Sequence, residues 1–117
     1  IDTFKNNKQI NINFPSNKND FIFVGDVISI FDKFIVNNYS SGIYNVGTGK
    51  STSISTILKL IDSAINGNDM ISKKYLSNID MKKSNQNFFA STKKLKKNLV
   101  NIDFTQIDTG IKKMIDI

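Results

Sequence analysis

The chain of 117 residues contains no cysteine and no histidine. Without cysteine it can form neither a disulfide framework nor a thiolate metal site. Without histidine it lacks the commonest metal ligand and the commonest general base near neutral pH. No clustered carboxylates take their place, so we expect no metal and no tightly held cofactor to be bound by this chain alone.

Long apolar runs are also missing. No apolar stretch approaches the length that crosses a membrane, and no signal-peptide pattern opens the chain. These two absences predict a cytoplasmic protein with no membrane partner. The length suffices for one small domain with a modest core. The chain begins at Ile1 and not at methionine, which predicts a piece of a longer protein.

Arginine is absent, so lysine carries all the positive charge of a chain whose formal net charge is +6. A basic chain is a candidate for nucleic-acid binding, because that affinity rests on neutralising phosphates. The lysines are scattered, however, apart from Lys93, Lys94, Lys96 and Lys97, and such a run is usually a solvated helix face. A small basic nucleic-acid-binding module stays an alternative, which a salt titration of binding to arbitrary DNA tests.

The stretch Gly42–Ile54 organises the rest of the chain. Residues 43–46 are suited to a buried strand, and Gly47 and Gly49 predict a tight structural turn after it. The run Gly49-Lys50-Ser51 looks like the end of a phosphate-binding P-loop. That loop needs a glycine five residues before Gly49, and this position holds Tyr44. The sequence therefore favours a strand, a glycine turn and a helix over a P-loop.

The helix after this turn carries its own start and stop signals. Thr52 or Ser53 is placed to cap it, and apolar residues recur at helical spacing over Ser53–Asn66. Gly67 supplies the C-terminal stop. A strand, a glycine turn and a capped helix form one half of a βαβ unit, which predicts an α/β fold class.

The remaining elements are predicted from the same periodicities and turn residues. They are an edge strand at Gln9–Phe14, a short strand or extended segment at Asp20–Val24, a helix capped by Asp26 that runs to about Asn38, a strand at Met70–Leu76, a surface loop at Ser77–Asn87, a helix capped by Ser91 and closed by Asn101, and a last helix capped by Thr105.

Four segments follow one another in an informative order: Asn19–Val27 (NDFIFVGDV), Gly42–Gly49 (GIYNVGTG) followed by Ser53-Ile54, Ala90–Leu99 (ASTKKLKKNL) and Gly110–Lys113 (GIKK). Together they resemble the C-terminal part of the NAD-dependent epimerase/dehydratase family, the extended short-chain dehydrogenases that act on nucleotide sugars. The resemblance implies that residues 1–117 are the C-terminal segment of a Rossmann-type enzyme. Residues 43–46 would complete its parallel sheet, and the helices would belong to its substrate-binding part.

The resemblance also implies that the cofactor-binding loop and the catalytic pair of the family are missing from this chain. The family binds NAD through an N-terminal Gly-x-x-Gly-x-x-Gly loop and works with a Tyr-x-x-x-Lys pair. Neither pattern occurs here, because Ile43, Thr48 and Ile79 stand four positions after the three tyrosines. No catalytic residue is therefore assigned, and the cofactor-binding part would lie upstream. Because the sheet partners would lie there too, we expect the chain alone to be aggregation-prone or loosely folded.

For the full-length protein the resemblance implies an NAD(P)-dependent nucleotide-sugar epimerase or dehydratase that forms a homodimer and holds NAD or NADP. The family oxidises a sugar carbon by hydride transfer and then epimerises, eliminates or reduces. This part would hold the nucleotide diphosphate of the sugar donor. The implied substrate-binding residues are Lys18, Asn19, Asp20, Lys82 and Lys83.

The candidate residues depart from the family pattern. Asn19 stands where the family has an arginine before Asp-Phe, and Lys82 or Lys83 would replace a later arginine. Arginine binds phosphate through a two-pronged fork, whereas lysine offers one point charge. We expect Asp20 to fix the loop and the lysines to lie near phosphate. The alternatives are solvated surface charges for the lysines and a backbone-capping carboxylate for Asp20.

We predict that Lys82→Ala or Lys83→Ala in the full-length enzyme raises KM for the nucleotide sugar far more than it lowers kcat. A residue that grips the unreacting diphosphate contributes equally to ground-state and transition-state binding. Steady-state kinetics on the two variants measure this. An unchanged KM in both would contradict the role that the resemblance gives these lysines.

Overall fold

The structure is a computed structural model that describes residues 1–6, 8–77, 84 and 86–117. Within these residues the chain forms six helices and one two-stranded sheet. In chain order the elements are α1 (Asp2–Lys5), β1 (Lys18–Asn19), α2 (Val24–Val36), β2 (Thr52–Ser53), α3 (Ile54–Asn66), α4 (Met70–Ser77), α5 (Lys93–Asn98) and α6 (Ile107–Ile115). This mixture of helices with a small sheet is compatible with a fragment of an α/β protein.

Helix α3 forms as the sequence predicts. The Ser53 hydroxyl accepts a hydrogen bond from the Thr56 amide at 3.1 Å and so caps the first turn. Gly67 follows the last turn with φ +72°, in the left-handed region that glycine enters without strain. The predictions of cap, span and end are confirmed for this helix.

Helix α2 begins earlier than predicted. Phe23 is its N-cap residue, so the prediction that Asp26 caps it is wrong. The Asp26 carboxylate instead accepts hydrogen bonds from the amide and hydroxyl of Thr105, at 2.8 and 2.7 Å. Thr105 therefore does not cap α6, whose N-cap residue is Gln106. Both predictions failed because two residues that favour helix caps bind each other.

The predicted strands at Gln9–Phe14 and Met70–Leu76 are wrong, since residues 9–14 form no strand among the described residues. Residues 43–46 form no strand within this chain either, and Ile43 is 88% exposed, but the parallel-sheet partners that the resemblance implies for them would lie outside the chain. The two-stranded sheet of the described residues is antiparallel. Met70–Leu76 lies in helix α4, where the buried Asp62 carboxylate accepts the Ser72 amide at 2.7 Å.

Helix α5 supplies much of the core. Its N-cap residue is Thr92, so the predicted cap at Ser91 is wrong. Leu95 is fully buried, and it packs with Leu99 and with Ile30 of α2. The predicted loop Ser77–Asn87 lies largely outside the described residues.

Aromatic residues extend this core toward residues 43–46. The ring of Phe34 packs at a tilt against Tyr39 and edge-on against Tyr44, with centroid distances of 5.0 and 4.7 Å. Lys94 lies 4.4 Å from the centroid of the Tyr44 ring and donates a hydrogen bond to the Ile43 carbonyl oxygen at 2.9 Å. The segment 43–46 is therefore held on one side by α2 and α5.

The described part of the chain leaves large apolar surfaces uncovered. Its principal extents are 51 × 33 × 18 Å, and its radius of gyration of 16.7 Å exceeds the roughly 13 Å of a compact domain of about 100 residues. We call four exposed residues of α2 the outer stripe, because they recur every three or four residues on one helix face: Val24, Ile28, Phe31 and Ile35. None of the helices described here is long and apolar enough to cross a membrane.

Candidate functional site

Asp20 joins three segments that lie far apart in the sequence. One carboxylate oxygen accepts hydrogen bonds from the Thr48 hydroxyl and from the Thr48 amide, the latter at 3.0 Å. The other oxygen accepts the Gly49 amide at 2.9 Å and the Ala90 amide at 3.1 Å. Both oxygens are thus engaged by the protein itself. We call this arrangement the Asp20 knot.

Two glycines allow the chain to approach this carboxylate. A Cβ atom at Gly47 would lie 2.6 Å from the Ala90 Cβ and 2.7 Å from an Asp20 carboxylate oxygen. Gly49 has φ +77°, which a residue with a side chain rarely adopts. The turn therefore needs glycine for space at the first position and for backbone conformation at the second.

The bonds of the knot favour the ionised form of Asp20. Partial burial by itself raises the pKa of this carboxyl, because it disfavours the charged form. The hydrogen bonds donated by the Thr48 side chain and by the amides of Ala90, Gly49 and Thr48 outweigh burial and hold the pKa below its ordinary value. Asp20 is therefore a carboxylate at neutral pH, and the knot carries a full negative charge.

The other predicted substrate-binding residues lie beside the knot or outside the described residues. Lys18 and Asn19 form β1 and have exposed side chains. The Lys18 amide donates to the Gln86 carbonyl oxygen at 2.8 Å, and Asn19 pairs with Thr52 of β2. Lys82 and Lys83 lie outside the described residues, so the structure does not test whether they approach Lys18.

A polar cavity of about 360 Å³ adjoins the knot. We call it the lysine cavity. The residues that line it include Phe21, Lys50, Thr52, Lys96, Asp103, Phe104 and Gln106. Its two lysines are not recognisable as site residues from the sequence. Lys50 follows the glycine turn in a run that lacks the first glycine of a P-loop, and Lys96 belongs to a lysine run typical of a solvated helix face. No local pattern joins them, because it is the fold that brings them to one cavity.

A larger cavity of about 580 Å³ lies between α3, α6 and residues 21–23. Its walls are mostly apolar side chains, among them Ile57, Ile61 and Ile111. Such walls offer little to an ionic substrate. Across the described residues, no group of three or more acidic side chains is placed to hold a metal ion.

Comparison with curated proteins finds relatives that match parts of the chain. It is 35% identical over 63 residues to CDP-abequose synthase of Salmonella muenchen, a match that covers 52% of this chain and 22% of that protein. It is 41% identical over 54 residues to ADP-L-glycero-D-manno-heptose-6-epimerase of Fusobacterium nucleatum, covering 46% and 16% respectively. The enzyme of the same name from Brachyspira hyodysenteriae is 30% identical over 100 residues, covering 84% of this chain and 30% of that protein.

These relatives are NAD-dependent epimerase/dehydratase family members, and they confirm the resemblance predicted from the sequence. The chain spans less than a third of the length of each of the three. No family model and no solved structure matches the chain.

We predict that Asp20→Asn lowers the free energy of unfolding by roughly 1.5 kcal/mol at neutral pH, because an amide nitrogen replaces one acceptor oxygen. A carboxyl whose pKa is depressed in the folded state stabilises above the ordinary aspartate value of about 4 and loses that effect as pH falls below it. The gap between wild type and variant should therefore narrow below pH 4. Urea unfolding at several pH values measures this.

Asp32→Asn is the matched control, because Asp32 is an exposed carboxylate on α2. This variant should stay close to wild type at every pH. An Asp20→Asn variant as stable as the control at pH 7, or a gap that does not narrow at all as the pH falls below 4, would contradict the role of the carboxylate.

Proposed function

We propose that this chain, which resembles the NAD-dependent epimerase/dehydratase family, is the substrate-side portion of an NAD(P)-dependent nucleotide-sugar epimerase or dehydratase. One observation carries the proposal. Three of the four segments on which the resemblance rests meet at the Asp20 knot, which joins Asp20 to Thr48, Gly49 and Ala90. Residues from three of the resembling segments therefore hydrogen-bond to one another at the Asp20 carboxylate.

The bond between Asp26 and Thr105 supports the same proposal. Asp26 belongs to the first resembling segment, and Thr105 lies shortly before the fourth, which opens at Gly110. If the resemblance were a chance match, the resembling segments would not be expected to contact one another across the fold. Lys113 of the fourth segment lies 5.4 Å from the centroid of the Phe23 ring of the first, so all four segments belong to one structural unit.

The role we propose for this unit is to hold the nucleotide diphosphate of the sugar donor. Lys18 and Asn19 present exposed polar side chains on β1, and Lys82 and Lys83 follow from the resemblance alone. Asp20 would act indirectly, since its oxygens are engaged by backbone amides and by Thr48. The names of the relatives, which refer to CDP- and ADP-linked sugars, support a substrate of this class.

The cofactor-binding part of the enzyme would lie in the remainder of a longer protein. NAD or NADP bound there would accept and return hydride, while the residues of this chain bind and orient the substrate. That part would also cover the outer stripe of α2, where each side chain contributes roughly 1.5–3 kcal/mol when buried. We further propose that the full-length protein is a cytoplasmic homodimer.

The alternative of a basic nucleic-acid-binding module receives less support from the contacts. Of the four lysines clustered on α5, Lys94 is turned inward to the Ile43 carbonyl and the Tyr44 ring. A continuous basic face on this helix is thereby interrupted. Phosphate neutralisation would rest on the three remaining lysines of the run.

The proposal predicts that the full-length protein converts an ADP- or CDP-linked sugar in a reaction that depends on NAD or NADP. The 117-residue chain alone should bind neither cofactor and convert none of these sugars. Product analysis with a panel of nucleotide sugars tests the activity of the full-length protein. Calorimetric titration with NAD and NADP tests cofactor binding by the chain alone. Cofactor binding by the chain alone, or a full-length protein inactive on every nucleotide sugar, would contradict it.

A second prediction tests whether the outer stripe is covered. Ile28→Lys should destabilise the full-length protein by more than about 2 kcal/mol, because it removes buried apolar surface and buries a charge. In the 117-residue chain alone the same change should have little effect, since Ile28 is already 56% exposed. Ser29→Lys is the control, because Ser29 is exposed on the same helix and is not part of the outer stripe, and it should be close to neutral in both. Equal effects of Ile28→Lys in both proteins would contradict a covered stripe.

A further inference from the structure

We propose that Asn66-Gly67 is a site of spontaneous deamidation, and that the carboxylate formed there weakens the contact between α3 and α4 at Asp62. Asn66 is the one asparagine in the chain that glycine follows. The reactivity of this pair comes from general amide chemistry, and the consequence comes from the hydrogen bonds of Asn66 in the fold. The inference goes beyond the proposed function and does not rest on it.

The reaction needs only the chain and water. The Gly67 nitrogen loses its proton to solvent and attacks the side-chain carbonyl carbon of Asn66, which closes a succinimide ring. The bond between that carbon and the side-chain nitrogen breaks, and the nitrogen takes a proton from water and leaves as ammonia. Water then opens the ring at either of its carbonyl carbons, which gives an aspartate or an iso-aspartate at position 66. No oxidant or reductant is consumed.

The end of α3 leaves the reacting groups accessible. Asn66 is the last residue of the helix, Gly67 follows it with φ +72°, and both are exposed. A Cβ atom at Gly67 would meet no other atom within 4 Å, so this turn lies in open space. Glycine has no side chain to hinder its nitrogen, and its backbone reaches conformations closed to other residues. Water and base therefore reach both reacting groups.

The closed helix end slows the reaction. The Gly67 amide donates a hydrogen bond to the Ser63 carbonyl oxygen at 3.0 Å, which engages the proton that must leave. The side-chain nitrogen of Asn66 donates to an Asp62 carboxylate oxygen at 2.8 Å, which holds the reacting side chain along the helix. Both bonds must break before the ring closes. Because helix ends open more easily than helix centres, the folded protein reacts through opening of this last turn.

Asp62 gives the reaction a structural consequence. Its side chain is fully buried, and its two oxygens accept hydrogen bonds from the Asn66 side chain and from the Ser72 amide, the latter at 2.7 Å. Within the part of the chain that the structure describes, no lysine forms an ion pair with Asp62, since Lys73 pairs with Asp69 instead. One carboxyl group thus connects the last turn of α3 to the first turn of α4.

Deamidation replaces a hydrogen-bond donor of Asp62 with an acceptor. A carboxylate oxygen in the place of the Asn66 nitrogen cannot bond to the Asp62 oxygen, and two neighbouring carboxylates repel each other. A buried polar group that loses a partner is costly, so the contact between the helices weakens. The iso-aspartate product also lengthens the backbone by one methylene beside Gly67. The Ser72 amide, which Asp62 binds, reports the change.

Peptide mass spectrometry of the full-length protein, aged at neutral pH, tests the reaction. Asn66 should convert faster than any other asparagine, with both aspartate and iso-aspartate products. The folded protein should react about tenfold more slowly than the same protein in guanidinium chloride, because the helix end must first open. Equal rates in the two states, a slowing of more than about a hundredfold, or faster conversion at another asparagine overturns the inference.

Asn66→Asp tests the consequence, since it places the carboxylate without the ageing step. In the full-length protein the Ser72 amide should exchange its hydrogen at least about tenfold faster than in the wild type, because Asp62 has lost a partner. Asn68→Asp is the matched control, with the same change of charge and with the oxygen that accepts the Met70 amide at 3.0 Å retained. It should change the Ser72 rate less than about twofold. Equal Ser72 rates in the two variants overturn the effect on the helix contact.

Discussion

The hydrogen bonds of Asp20 are the constraint on which the site depends. They connect residues 28, 29 and 70 positions apart in the sequence through the two oxygens of one carboxylate. A charged acceptor forms stronger hydrogen bonds than a neutral one, which suits a joint between segments without regular secondary structure. The absence of a side chain at Gly47 and the positive φ of Gly49 follow from this close approach. The lysine cavity takes one of its walls from the same turn.

How much of the fold could be predicted depended on whether the signal was local. Helix α3 was predicted correctly because Ser53, its apolar spacing and Gly67 act within a few residues of one another. Asp26 and Thr105 carried equally good local cap signals, yet each binds the other across 79 positions. Met70–Leu76 was predicted as a strand, but the buried Asp62 carboxylate accepts an amide of its first helical turn. In both of these cases a hydrogen bond between different segments of the chain overrode a local preference.

The same distinction between local signals and contacts made by the fold applies to the candidate site. The resemblance directed attention to Asp20, and the structure gives it bonds to the predicted turn and to Ala90. Lys50 lies in a run that resembles the end of a P-loop, which Tyr44 argues against, and the fold brings it to the lysine cavity. Lys96 lies in a run of four lysines, and the sequence of that run does not show which of them share a face. The burial of Leu95 and Leu99 determines which face of α5 points outward. The exposed apolar residues of α2 are consistent with a chain that spans less than a third of the length of each of its relatives.

Amide hydrogen exchange is the most direct test of the Asp20 knot. In the wild-type protein the amides of Gly49 and Ala90 should exchange slowly, although neither lies in a helix or strand. In Asp20→Asn both should exchange faster together, whereas the Ser72 amide, bound to Asp62, should keep its rate. Fast exchange of Gly49 and Ala90 in the wild type, or rates unaffected by Asp20→Asn, would contradict the account.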